Sequence, residues 1–227
     1  MTQALRDKWE DLALSTFIDV YLRQWRRTRA VINKAEREEL RSLIADLYRR
    51  EPEAVRLQVQ RLFDDMVTDI AQITVDEVPA PTPDYERLTD TILKLSAENA
   101  GRFATEISNN SLRLSYSVID NWLEMPGATV QDLTARMERI WRGPRPATAA
   151  TTETTRLYNA TRIETFREMG AWGFQPVTRN DDRVRESHVR YAAEGPYPLD
   201  RTDRIPPYGD VNCRCSIVAV FENPNGV

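Results

Sequence analysis

A chain of 227 residues is the size of one large domain or two small ones, because single hydrophobic cores stop growing near roughly 250–300 residues. With 41% hydrophobic and 29% charged residues it has the composition of a globular protein, and no apolar run approaches the roughly 18–20 residues of a membrane span. The net charge of -4 supplies no global attraction to nucleic acid, and charges in the opening MTQALRDKWEDLALS fall where a signal peptide carries its apolar segment.

In chain order, Trp9, Ala13, Phe17, Val20, Tyr21 and Trp25 recur at helical spacing and predict an amphipathic helix. A second stripe holds Leu40, Leu43, Ile44, Leu47 and Tyr48. A third holds Val55, Val59, Leu62, Phe63, Met66, Ile70 and Ile73, with Pro52 placed where a first helical turn tolerates it. The proline-rich stretch 77–83 reads as an extended connector and a boundary. Beyond it, Tyr85, Leu88, Ile92 and Leu95 form one helical stripe, and Phe103, Ile107, Leu114, Val118 and Trp122 form another. Thr129 followed by Asp132 is an N-cap signature for a helix carrying Leu133, Met137, Ile140 and Trp141. A long helix from about Thr148 to Met169 then ends at Gly170 in the C′ position. After Gly170 the helical period fades, and Gly173–Val177 and Ser216–Phe221 are the strand candidates. The expected fold class is therefore α+β, predominantly α-helical. A helical N-terminal region (1–78) is followed by a helical middle region (84–145) and a small C-terminal α+β unit (146–227).

Two cysteines one residue apart, Cys213 and Cys215, exclude a disulfide-stapled scaffold and point to a reducing compartment. On an extended segment both sulfurs share a face, where His188, the single histidine, adds a third donor and Asp182, or Asp181, a fourth. That mixed set is one Zn²⁺ accepts. The plain alternative is two buried thiols and a hydrogen-bonding imidazole. A cysteine nucleophile beside His188 is a further reading, with Arg214 favouring the thiolate. The arginine run Arg23, Arg26, Arg27 and Arg29 is a candidate contact for DNA or an acidic partner, and equally an ordinary solvated helix face.

Five blocks in the last third of the chain occur in a telling order. They are Thr151-Thr152-Glu153-Thr154-Thr155-Arg156, Asn159-Ala160, Trp172, Asp182-Arg183-Val184-Arg185-x-x-His188, and Ile205-Pro206-Pro207-Tyr208-Gly209-Asp210-Val211-Asn212-Cys213-Arg214-Cys215. Together they resemble the MuF-type phage head-morphogenesis domain, and the resemblance spans residues 146–221. It implies a minor head protein of a tailed phage or phage-derived particle. Such a protein is made in the host cytoplasm and resides in the virion at the portal vertex. It associates with portal or major capsid protein, assists head morphogenesis or the packaging or ejection of DNA, with or without direct contact to packaged DNA, and has no enzymatic role and no membrane partner. Many members carry Cys-x-x-Cys where this chain has Arg185-Glu186-Ser187-His188, so a four-cysteine zinc site is excluded here. A site of His188, Cys213 and Cys215 needs an aspartate or water to complete it. The same blocks also allow a metal-free network in which Glu153, Arg156, Asp182, Arg185 and Arg214 tie the long helix to the Cys-Arg-Cys segment. A metal- or cysteine-dependent hydrolase and a DNA-binding accessory protein are the rival readings.

Overall fold

The computed structural model describes residues 3–179, 181–201, 210–224 and 226. The Ile205–Gly209 part of the last block lies outside the described residues. Five helices come first: α1 (Gln3–Ile32), α2 (Leu40–Glu77), α3 (Tyr85–Leu123), α4 (Val130–Trp141) and α5 (Arg145–Glu168). Strand β1 (Gly173–Val177), helix α6 (Glu186–Glu194), β2 (Tyr197–Pro198) and β3 (Ser216–Val220) follow. Among the described residues no helix is long and apolar enough to cross a membrane.

The stripe of α1 is buried at every expected position from Trp9 to Trp25. The next two stripes are one helix, not two, because α2 runs through Pro52. Tyr48, Glu51, Val55 and Val59 keep one buried face across the proline, so packing on both sides outweighs the missing N–H and the ring clash. Replacing Pro52 with alanine is expected to stabilise the chain by about 1–3 kcal/mol, read as a higher denaturant midpoint at unchanged slope.

Helix α3 likewise merges two expected helices. Its first turn is capped by Asp84, which accepts from the backbone N–H groups of Glu86 and Arg87 at 3.1 Å. Between Ile92 and Ile119 its buried face combines Phe103 and Ile107 with the small residues Ser96, Ala100, Ala104, Ser108, Ser111 and Ser115. These small side chains keep the stripe continuous where large apolar residues lapse. Ser111 donates to Gln24 Oε1 at 3.0 Å and Ser96 to Asp64 Oδ1 at 2.6 Å, so two of the buried hydroxyls are satisfied by neighbouring helices.

One continuous core runs from Trp9 on α1 to Tyr158 on α5. At its centre Phe17 stacks on Phe103 at 4.5 Å and meets Phe63 edge-on at 6.4 Å. The stretch 77–83 joins α2 to α3, which both contribute to that core, and its Val78 packs against the second cluster. Helix α4 begins with the expected capping box of Thr129 and Asp132.

Helix α5 starts at Arg145, earlier than expected, with Pro146 in its first turn. It ends before Gly170, whose φ of +76° suits glycine. Its far end enters a second cluster of Ile163, Phe166, Ala171, Phe174, Leu199 and Ile217. That cluster underlies an antiparallel sheet of order β2-β1-β3. The register places Phe174 opposite Ala219 on one side and Tyr197 on the other. At Gly173 a Cβ would stand 2.2 Å from the Tyr197 carbonyl oxygen, so only glycine permits the β1–β2 approach.

Candidate metal centre

Helix α5 is the platform for the C-terminal segment. Its buried Asn159 donates from Nδ2 to the Cys215 carbonyl at 3.1 Å, and Thr152 Oγ1 accepts from the Asn212 N–H at 3.0 Å. Helix α1 adds a third anchor, because the Arg6 guanidinium donates to the Arg214 carbonyl. Asn212 turns the chain between these anchors with φ +59°, a left-handed conformation that asparagine tolerates and β-branched residues resist. Asn212→Gly should leave stability within a few tenths of a kcal/mol, whereas Asn212→Val should cost about 1–2 kcal/mol in chemical denaturation.

The turn delivers Cys213 and Cys215, each buried, to the buried His188 of α6. His188 Nδ1 lies 3.4 Å from Cys215 Sγ and 3.5 Å from Cys213 Sγ. Its other ring nitrogen, Nε2, lies 2.7 Å from Asp210 Oδ2. A carboxylate only accepts, so this bond holds the proton on Nε2 and leaves the Nδ1 lone pair facing the two sulfurs. The hydrogen bond between the thiols lowers Cys215 to about 7 against the opposing effect of burial, with the Arg179 backbone and the Arg6 charge adding to the lowering. The same bond and burial raise Cys213. One sulfur is thus prepared as a thiolate near neutrality, the form that binds metal.

The three ligand atoms all lie within 4.8 Å of one another. Zn–S near 2.3 Å and Zn–N near 2.0–2.1 Å give a tetrahedral S···N edge of about 3.6 Å, and the separations of 3.4 and 3.5 Å match it. The residues fit zinc: His188, Cys213 and Cys215 would hold it, with Asp210 orienting the imidazole from behind as carboxylates do in zinc sites. Bound there, the ion would cross-link α6 to the strand-leading segment and act as a Lewis acid at its remaining position. A cavity of about 430 Å³ opens beside the cluster, lined among others by Arg179, Asp181, Arg183 and Arg185.

Asp182 is not a member of the cluster. It is exposed, and the described metal-ligand group consists of His188, Cys213 and Cys215. The carboxylate that reaches the histidine is Asp210, from the segment just before the cysteines. Asp181 instead accepts from Arg214 Nη2 at 2.7 Å.

Among the described residues the expected charged network is seen as separate pairs. Glu153 takes Arg102 at 2.6 Å and Arg156 at 2.8 Å, binding α5 to α3. Arg185 binds Asp210 at 3.2 Å and the Val211 carbonyl at 2.8 Å, while Arg214 binds Asp181.

The arginine run does not present four free cations either. Arg27 pairs with the fully buried Glu51 at 2.6 Å, and Arg23 lies 3.6 Å from the same carboxylate. Arg26 bonds its own helix at the Leu22 carbonyl, and Arg29 is exposed. Half of the run thus compensates a buried charge.

Thr152, Asn159 and Asp210 are the positioning residues that reading by residue chemistry passed over. Their signal lay in the family-like blocks that contain them. Comparison with protein-family models, with curated proteins and with solved structures finds no match.

Proposed function

We propose that this chain is a minor head protein of a tailed phage or phage-derived particle. In this reading the α1–α5 bundle docks on portal or major capsid protein, and the C-terminal unit is a rigid module stapled by zinc at His188, Cys213 and Cys215. Its role is assembly, with or without contact to packaged DNA, and not catalysis. One observation carries the reading. Residues from four of the five resemblance blocks, Thr152, Asn159, His188, Asp210, Asn212, Cys213 and Cys215, form one bonded cluster. A pattern of scattered residues that meet at one point has a structural reason to occur together.

The experiment is genetic and compositional. The chain should co-sediment with purified heads at a small fixed copy number, and its deletion should abolish infectious heads. Particles that lack the chain, or normal infectivity without it, would overturn the proposal.

A second reading, a metal-dependent hydrolase, is favoured by the three-donor set beside the 430 Å³ cavity, since catalytic zinc keeps a position for water. It requires hydrolytic activity that disappears on His188→Ala. A cysteine nucleophile fits less well, because Cys213 and Cys215 are each only 4% exposed although they line that cavity.

A further inference from the structure

A second cavity, of about 150 Å³, lies between α1, α5 and β3 and shares Arg179 and Arg214 with the lining of the cavity beside the cysteine cluster. Four of its lining residues are arginines, Arg6, Arg162, Arg179 and Arg214, and among the described residues none of the lining is acidic. The hydroxyl residues Thr178 and Ser216 also face it. Arg6 is only 6% exposed and Arg162 only 3%. Among the described residues Arg6 Nε and Nη2 and Arg162 Nε are buried nitrogens with no hydrogen-bond partner, although Arg162 Nη1 is held by Glu77 and by the Tyr158 hydroxyl and its guanidinium lies over the Tyr158 and Phe166 rings.

Counter-charges approach from outside the cavity and are already engaged. Glu77 holds Arg162 at 3.1 Å, and Asp181 holds Arg214 at 2.7 Å. Asp7 and Glu10 act on Arg6 from its own helix, but neither lines the cavity, and Glu10 accepts the Thr151 hydroxyl at 2.5 Å. Buried guanidinium N–H groups without acceptors are rare, because the lost water is not replaced. Guanidinium forks and hydroxyls converging on one space are the donor set that takes an oxyanion. The volume is far below the roughly 300–1,000 Å³ of sites for drug-sized ligands, so it suits a single small group.

We infer that the cavity formed by Arg6, Arg162, Arg179 and Arg214 is a binding site for one phosphate-class oxyanion, locking α1 onto the C-terminal unit when filled. The site does not rest on the head-protein reading. Its phosphate comes either from free inorganic phosphate or from the 5′ end of a nucleic-acid strand.

The test uses the full chain in phosphate- and sulfate-free buffer. Inorganic phosphate at about 10 mM is expected to raise the thermal midpoint by about 3 °C over chloride at equal ionic strength. Arg6→Met should fold and lose that response. If Arg6→Met does not fold, Arg179→Gln, at the half-buried rim, should weaken the response at least threefold. Competition by a 5′-phosphorylated oligonucleotide, but not its 5′-hydroxyl twin, would assign the phosphate to nucleic acid; phosphate binding without that competition would assign it to the free ion. Equal midpoints in phosphate and chloride, or an undiminished response in Arg6→Met and Arg179→Gln, would overturn the inference.

Discussion

The double substitution Cys213→Ser/Cys215→Ser is expected to abolish zinc binding and to give the C-terminal sheet unit its own, lower unfolding transition. The reason is the size of what holds that unit. Among the described residues its apolar cluster has six buried members, a small area to stabilise a three-stranded sheet and a nine-residue helix. Metal affinity gained only in the folded state adds directly to folding free energy. The bundle, with its separate and larger core, should keep its own transition. Asp210→Asn is the graded companion. It leaves all three donors in place but weakens the acceptor that orients His188, and should reduce zinc affinity by about 10- to 100-fold. Titration with a competing chelator reads both variants. Equal affinity in Asp210→Asn and wild type would mean that Asp210 does not set the imidazole.

Phe17→Ala is expected to cost about 3–5 kcal/mol. Phe17 is fully buried and contacts aromatic rings from both α2 and α3, so no single element can collapse into the space. The loss should appear in the helical transition as one cooperative event from α1 through the first half of α5. Two helical transitions, separated near residues 77–83, would contradict the single core.

The places where the sequence was and was not legible have physical explanations. Helix α1 was readable because large apolar residues mark each turn, and the end of α5 because Gly170 adopts the left-handed conformation. The strands β1 and β3 were readable from their β-branched and aromatic content. Helix α3 was divided in the reading because a stripe of large side chains stops at Leu95 and resumes at Phe103. Between them, burial is assigned to Ser96 and Ala100, which hydrophobicity does not flag. Helix α2 was divided at Pro52 because the sequence carries the penalty for proline but not the tertiary packing that outweighs it. Helix α6 and β2 went unread: α6 has one buried residue, His188, and β2 is two residues long.

The same distinction holds at the site. The chemistry of His188, Cys213 and Cys215 was visible from residue type and spacing. The choice of carboxylate was not, because Asp182 and Asp210 are the same residue type and only the return of the chain toward α6 selects Asp210. The buried Arg6 was invisible for a similar reason. It lies more than 200 residues from Arg214 in the chain, and an arginine on an amphipathic helix reads as solvent-facing.

The measurement that tests the account most directly is the zinc content of the purified full chain by elemental analysis, with the double cysteine variant as control. The account predicts about one zinc per chain, held at neutral pH and absent from the variant. Chain that carries no zinc after reconstitution, or zinc retained equally by the variant, would contradict it.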